Sequence, residues 1–271
     1  MLDATRPHAW VSITLPSHGI FYDDKLPDGR LEIRKMTAHE ESILQSQGVD
    51  VYARLDTIMR NCVRVPDDRM KPGQFLISDR LALMLAQRIH TFGPLYKFTY
   101  PCPSCRHNNR VEVDINKEFD TITPEDVVRK MEEKGVADFK LTEPFEVDLL
   151  DAQTKVQCRF LRGDDEIEIL RRSKRMQMQG MDATDPSHLI RLATSLVSVS
   201  SVGPEWEKLK PVQKEMWVRG LTATDTARIR IAVEERETGL NTNLIHTCRS
   251  CGAQNEVPLR FDAEFFLPSR L

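Results

Sequence analysis

Apolar and polar residues alternate with a period of two in several short segments of this chain, which predicts half-buried β-strands. These segments come in pairs that are separated by turn-forming residues, as in antiparallel hairpins. Three hairpins are predicted: residues 95–100 with 110–115, 145–149 with 156–160, and 243–247 with 256–261. A further strand at residues 11–15 ends at the turn 16–19, and another follows at 31–34.

Other segments carry apolar residues at helical spacing. Leu55, Ile58, Met59 and Cys62 form one stripe, and the sequence from Thr37 to Glu40 has the form of a capping box that begins a short helix. A helix is predicted from Ser78 to Gly93, and more helices at about 124–134, 164–179, 185–197, 212–219 and 222–236. The pattern predicts an α+β fold of short helices and small antiparallel hairpins.

The order of these elements divides the chain into three parts. Residues 1–94 form an N-terminal α+β segment. Residues 95–118 and 241–271 carry the first and last hairpins, and residues 119–240 read as an inserted domain of one hairpin and several helices.

The composition is that of a soluble globular protein. The chain has 271 residues, of which 40% are hydrophobic and 29% charged, and its formal charge is −3. This charge gives no overall attraction to nucleic acid or anionic membranes. No apolar run approaches the roughly 20 residues of a membrane span, and residues 1–7 lack the features of a signal peptide. We therefore expect a protein made in a reducing cytoplasm, whose six cysteines do not form disulfides.

Four of the six cysteines form two Cys-x-x-Cys pairs, Cys102 with Cys105 and Cys248 with Cys251. Each pair lies between the two strands of a predicted hairpin, so each forms a turn that can point two sulfurs at one metal ion. Two such turns supply the four thiolates of a closed, tetrahedral structural zinc site. Cys105 and Cys248 are 143 positions apart, so this zinc ribbon would be built from two distant parts of the chain.

Other interpretations of these cysteines remain open. An iron–sulfur cluster uses the same ligands. The pairs could also be unrelated thiol turns or redox sites, although redox Cys-x-x-Cys pairs normally begin a helix. His107 and His246 lie close enough in sequence to replace a ligand, but with four cysteines present a supporting or exposed role is favoured. Cys62 and Cys158 fit small core residues.

Signals of catalysis are nearly absent. The sequence from His39 begins like a metalloprotease helix, but Ile43 stands where the second histidine would be. No phosphate-binding glycine loop or nucleophile elbow is present, and a four-thiolate zinc offers no open position for a substrate. We therefore predict a protein that is not an enzyme. A metalloenzyme with an unrecognised site is the weaker alternative.

Two features suggest partner contacts. The basic residues Arg171, Arg172, Lys174 and Arg175 form either the exposed face of a helix or a contact surface for an acidic partner or nucleic acid. Phe265 and Phe266, near the end of the chain, could dock on their own domain or on a partner.

Several sequence motifs occur together in a characteristic order. Residues 15–22 read LPSHGIFY, 33–41 read IRKMTAHEE, and 88–96 read RIHTFGPLY, followed by the first cysteine pair. The second cysteine pair and the sequence FFLP at 265–268 complete the set. Over residues 11–115 and 220–268 the chain resembles the baseplate hub subunit family of T-even-type contractile-tailed phages.

This resemblance implies a structural or assembly protein of the tail baseplate hub, without enzymatic activity. It implies a place in the virion after assembly in the host cytoplasm, in an oligomeric setting. The partners it implies are other hub and tail proteins, including the tail tube and the tape-measure protein. The rival hypothesis is a zinc-ribbon adaptor for nucleic acid or the transcription machinery, which the scarcity of aromatic residues near the basic run disfavours.

Overall fold

The computed structural model describes residues 9–46, 51–178, 186–259 and 263–266. Its helices and strands, in chain order up to the first hairpin, are β1 (Val11–Thr14), β2 (Arg30–Ile33), α1 (Ala38–Gln45), α2 (Val51–Cys62), β3 (Val63–Arg64), α3 (Ile77–Phe92), β4 (Leu95–Pro101) and β5 (Asn108–Asp114). Strands β1, β2 and β3 form an antiparallel sheet, in which Ile13 is paired with Leu31. The predicted capping box begins α1: the Thr37 hydroxyl accepts from the His39 N–H, and the Glu40 carboxylate accepts from the Thr37 N–H.

The turn after β1 is fixed by a buried carboxylate on α3. Asp79 is fully buried, and it accepts hydrogen bonds from the Ser17 N–H at 3.1 Å, the Ser17 hydroxyl at 2.6 Å and the Tyr22 hydroxyl at 2.5 Å. The Tyr22 hydroxyl in turn accepts from the Leu76 N–H at 2.9 Å. Between Ser17 and Tyr22, Gly19 has φ +80°, a conformation in which glycine avoids the steric cost of a side chain. The motif 15–22 therefore joins the first sheet to α3.

The middle of the chain contains α4 (Ile115–Glu118), β6 (Asp120–Ile122), α5 (Pro124–Glu133), β7 (Phe145–Leu149), β8 (Thr154–Cys158), α6 (Gly163–Met178), α7 (Ser187–Ser195), β9 (Leu196–Val199), α8 (Glu205–Lys208), α9 (Pro211–Arg219) and α10 (Ala223–Arg236). The predicted central hairpin is confirmed, with Phe145 paired to Cys158. The predicted helix at 185–197 is wrong at its end, because the chain becomes extended at Leu196 and β9 pairs with β8 as a third strand. The predicted start of that helix at Asp185 lies outside the described residues.

The last part contains β10 (Gly239–Asn241), β11 (Asn243–Thr247), β12 (Gln254–Pro258) and α11 (Ala263–Phe266). Strand β10 pairs with β6, so the two ends of the middle part run side by side, and Gly239 is opposite Ile122. Strands β4 and β5 form the first cysteine hairpin, and β11 and β12 form the second. The predicted α+β class, with small antiparallel hairpins, is therefore confirmed.

Two hydrophobic cores hold these elements together. The first core combines the N-terminal sheet with the middle part and includes Leu15, Ile33, Phe75, Val147, Val156, Leu192, Trp206 and Ile229. The second core combines α1 and α2 with both cysteine hairpins and includes Leu44, Ile58, Cys62, Tyr96, Val111, Val113, Leu244, Val257, Phe265 and Phe266. Helix α3 contributes to both cores, through Leu83 and Leu85 respectively. The division of the chain into three folding units stays a prediction, because shared packing does not define which parts fold independently.

Candidate metal centre

The two cysteine hairpins are equivalent in register. In the first hairpin Tyr100 is paired with Asn109, and in the second His246 is paired with Asn255. Tyr100 and His246 are 146 positions apart, and the same offset relates each paired position of one hairpin to the other. The hairpins also meet at these positions, since the Tyr100 hydroxyl lies 2.8 Å from His246 Nδ1. The chain therefore uses the same strand–turn–strand unit twice.

Each Cys-x-x-Cys turn closes with the same pair of backbone hydrogen bonds. The Cys102 N–H donates to the His107 carbonyl at 2.9 Å, and the Arg106 N–H donates to the Cys102 carbonyl at 2.8 Å. In the second turn, the Cys248 N–H donates to the Ala253 carbonyl at 2.8 Å, and the Gly252 N–H donates to the Cys248 carbonyl at 2.9 Å. The residue after the second cysteine is left-handed in both turns, with φ +60° at Arg106 and +72° at Gly252. The backbone thus presents both sulfurs of each turn on the same side.

The four sulfurs lie at the spacing of ligands that share one ion. All four Sγ atoms lie within 4.8 Å of one another. Cys102 Sγ is 3.8 Å from Cys251 Sγ, and Cys105 Sγ is 3.7 Å from Cys248 Sγ. A tetrahedral site with Zn–S bonds of about 2.3 Å requires sulfurs roughly 3.8 Å apart. The geometry therefore fits a four-thiolate metal site, in which each cysteine lies close to one cysteine of the other turn.

Backbone dipoles favour ionisation of the first cysteine of each turn. The Cys105 N–H lowers the pKa of Cys102, and the Cys251 N–H lowers the pKa of Cys248 to about 6. The Ala253 N–H also lowers the pKa of Cys251, but hydrogen bonds with the neighbouring thiols outweigh it and raise this pKa to about 12. Four thiols this close cannot all ionise without a compensating positive charge, which a divalent cation supplies.

The other cysteines and histidines in the described part of the chain do not belong to this cluster. Cys62 and Cys158 are buried, and desolvation raises the pKa of each to about 12, as expected for core thiols. His107 is exposed, and His246 contacts Tyr100. Among the described residues, only the four paired cysteines form a group close enough to hold a metal ion.

Sequence reasoning missed two asparagines that contact the cysteines. Asn109 Nδ2 lies 3.5 Å from Cys248 Sγ, and Asn255 Nδ2 lies 3.7 Å from Cys102 Sγ. Each asparagine is four positions after the second cysteine of its own turn. This repeated Cys-x-x-Cys-x-x-x-Asn spacing is a signal that could have identified them.

A model of a known protein family matches most of this chain. The model described as T4 bacteriophage base plate protein matches residues 18–267. The chain belongs to this family. The match includes all four paired cysteines and also the middle of the chain, to which the sequence resemblance did not extend. No curated protein and no solved structure matches the chain.

Membership of the baseplate family implies a structural role, a location in the virion tail, and contacts with other tail and baseplate proteins. The resemblance inferred from the motifs is thus confirmed for the T4-type baseplate family. Within the described part of the chain, no helix has the length and apolarity needed to span a membrane.

The basic residues on α6 do not all face the same way. Arg171, Lys174 and Arg175 are exposed, and Arg171 lies 3.2 Å from Glu168 on the same helix. Arg172 instead forms an ion pair with the buried Glu215 on α9. The run is therefore divided between an exposed face and a contact between helices.

Phe265 and Phe266 are both buried in the second core. The Phe265 ring meets the Tyr96 ring edge to face, with centroids 4.9 Å apart. This placement corresponds to the alternative in which the terminal segment docks on its own chain, and it leaves neither ring exposed to a partner.

Proposed function

We propose that this chain is a structural subunit of the hub of a contractile-tail baseplate, which acts through protein–protein contacts and has no catalytic activity. The observation that carries this proposal is the match to the baseplate family over residues 18–267. The partners are other hub proteins, the tail tube and the tape-measure protein, in an oligomeric assembly. The protein enters this assembly in the host cytoplasm and stays in the virion.

The proposal includes one structural zinc ion on Cys102, Cys105, Cys248 and Cys251. One observation favours zinc over an iron–sulfur cluster. Two pairs of sulfurs lie 3.7 and 3.8 Å apart and all four lie within 4.8 Å of one another, as around one ion, whereas thiolates that bind different irons of a cluster lie farther apart. When bound, zinc supplies a cross-link between the two hairpins, and the chain's own residues orient the thiolates.

The exposed cations of α6 are the proposed contact surface for an acidic neighbour in the baseplate. Arg171, Lys174 and Arg175 face outward, whereas Arg172 is committed to Glu215. Phe265 and Phe266 do not take part in this proposal because their side chains lie in the second core.

Native mass spectrometry combined with elemental analysis tests the metal centre in the full-length chain. We expect one zinc per chain and four cysteines that resist alkylation until a chelator is added. Cys102→Ser should lose the metal, whereas Ser104→Ala, an exposed change in the same turn, should retain it. A metal-free wild-type chain with freely reactive thiols would contradict the proposed zinc site.

Assembly of particles tests the structural role. In phage whose only copy of the gene carries Arg171→Glu, Lys174→Glu and Arg175→Glu, we expect fewer complete baseplates by electron microscopy. The matched control carries Arg129→Glu, Lys130→Glu and Lys208→Glu, which change the same charge on other helices. Baseplates that form normally without the protein would refute the structural role itself, and equal effects of the two triple variants would refute the α6 contact surface.

A further inference from the structure

Asn109 and Asn255 occupy equivalent places in the two cysteine hairpins. Each is paired in register with the residue two positions before the first cysteine of its hairpin, Tyr100 for Asn109 and His246 for Asn255. Both side chains are buried, with exposed fractions of 0% and 9%. A buried amide requires partners for its two N–H groups and its oxygen.

Two of the three hydrogen-bond partners of Asn109 belong to the opposite hairpin. Its Nδ2 donates to Cys248 Sγ at 3.5 Å and to the His107 carbonyl at 3.2 Å, which uses both amide hydrogens. Its Oδ1 accepts from the Arg249 N–H at 3.1 Å. Asn109 therefore bonds to the first thiol of the opposite turn and to the backbone that follows it.

Asn255 makes the reciprocal contact. Its Nδ2 lies 3.7 Å from Cys102 Sγ, 3.2 Å from the Tyr100 hydroxyl and 3.2 Å from the Ala253 carbonyl. Its Oδ1 is 3.9 Å from the same sulfur, but an ionised sulfur has no proton, so only the NH₂ group can satisfy it. Two amide hydrogens shared among three acceptors make this the weaker of the two cross-hairpin bonds.

These contacts make the four thiols unequal. Cys102 and Cys248 are buried, and each receives backbone N–H groups from its own turn and an amide from the opposite hairpin. Cys105 and Cys251 are exposed. Hydrogen bonds to a thiolate stabilise its charge. Removal of a group that orients a metal ligand commonly lowers the affinity of the site for the metal.

We propose that Asn109 and Asn255 are positioning residues of the metal centre, each donating a hydrogen bond to the first thiolate of the opposite hairpin. They hold the buried pair, Cys102 and Cys248, in the orientation that would bind metal. This inference rests on the proposed metal site and goes beyond it by assigning residues that are not ligands.

The chain offers a matched control for each asparagine. Asn108 and Gln254 precede Asn109 and Asn255, lie on the same strands and are exposed. Asn109→Asp replaces the donor with a carboxylate that repels the thiolate, whereas Asn108→Asp adds the same charge one position away. Asn255→Asp is compared in the same way with Gln254→Glu. Asn109→Ala removes the donor without adding charge, in case the carboxylate prevents the site from forming.

The test uses the full chain loaded with Co²⁺, whose thiolate-to-metal absorption reports the sulfurs directly, and with Zn²⁺ for release to a coloured chelator. We expect Asn109→Asp and Asn109→Ala to shift the cobalt absorption and to speed zinc release by on the order of 10–100-fold. The same changes at Asn255 should have smaller effects, and both control variants should match wild type. A general loss of stability would not shift the absorption of the loaded protein.

The outcomes separate the two proposals. If wild type binds one Co²⁺ through four thiolates but the Asn109 variants match Asn108→Asp in absorption and release, the positioning role is wrong and the metal site stands. If wild type shows no thiolate-to-cobalt absorption, both the metal site and the positioning role are wrong.

Discussion

Gly19 stands at the tightest point of the turn that joins the first sheet to α3. A Cβ at this position would lie 2.1 Å from the Leu26 carbonyl oxygen and 2.6 Å from the Gly29 nitrogen. Both are backbone atoms, so no side-chain rotation can relieve the contact. Gly135 offers a comparison, because its φ of +85° is close to the +80° of Gly19 but no atom lies within 4 Å of its Cβ position.

The magnitude of each substitution follows from this difference. Gly135→Ala incurs only the left-handed cost of about 1–2 kcal/mol, partly offset by the lower entropy of the unfolded chain. Gly19→Ala adds the displacement of the turn, which breaks the bond from the Gly29 N–H to the Leu26 carbonyl at 3.1 Å and strains the bond from the Leu15 N–H to the Gly29 carbonyl at 2.9 Å. Each buried bond that is lost costs about 1–3 kcal/mol. We therefore expect Gly19→Ala to lower the free energy of unfolding by about 3–5 kcal/mol, and Gly135→Ala by about 1 kcal/mol.

Urea denaturation followed by circular dichroism measures both variants against wild type. The midpoint should fall much further for Gly19→Ala than for Gly135→Ala, with similar slopes for the three proteins. Gly203→Ala is a second control, since Gly203 has φ +65° and the same open surroundings. Equal losses at Gly19 and Gly135 would show that the turn can open without cost, and would refute the argument from backbone contacts.

Three further changes test other parts of the structure. Burial raises the pKa of Glu40, but hydrogen bonds from Arg34 and Thr37 outweigh this effect and lower the pKa from 4.5 to about 2. The ionised carboxylate therefore stabilises the folded state fully above pH 4.5, and this stabilisation is lost as the pH falls towards 2. Glu40→Gln should lower the free energy of unfolding by about 2–3 kcal/mol at pH 7 and make it depend less on pH in the acid range, as measured by thermal unfolding at several pH values. Arg106→Gly should change the free energy of unfolding by less than about 1 kcal/mol, because relief of the left-handed conformation offsets the added entropy of the unfolded chain. A larger loss in urea denaturation would contradict that balance. The third test compares the zinc-loaded chain, at free zinc 1,000-fold above its dissociation constant, with the chain after chelation. Removal of zinc should speed amide hydrogen exchange at Arg106 and Gly252 by up to about 1,000-fold. Unchanged exchange in both turns would contradict a metal that orders them.

The two cysteine turns could be predicted from the sequence because their signal is local. Two residues between cysteines and alternating strands on either side predict the turn without knowledge of the rest of the fold. The capping box at Thr37 is of the same kind, since its hydrogen bonds join residues two and three positions apart. In these cases the local pattern and the final structure agree.

The features that could not be predicted depend on contacts between distant parts of the chain. Strand β9 lies in an apolar run at helical spacing. Leu196–Val199 is extended because it pairs with the edge of β8 that β7 leaves open. The burial of Phe265 depends on Tyr96, which is far away in sequence. The bonds from Asn109 and Asn255 to sulfur exist only once the two hairpins face each other. Periodicity carries no information about such pairings.

The position of the cysteines within the fold limits what a metal ion can do there. The sequence suggests that the ion closes a long loop, but β6 and β10 already join the two ends of that loop, and the second core already packs Tyr96 and Val113 against Leu244 and Val257. Without metal, the bases of both hairpins keep these contacts. The turns at the tips have instead two exposed cysteines, Cys105 and Cys251. An ion bound by the four cysteines would therefore stabilise the relative orientation of the two tips rather than the closure of the chain.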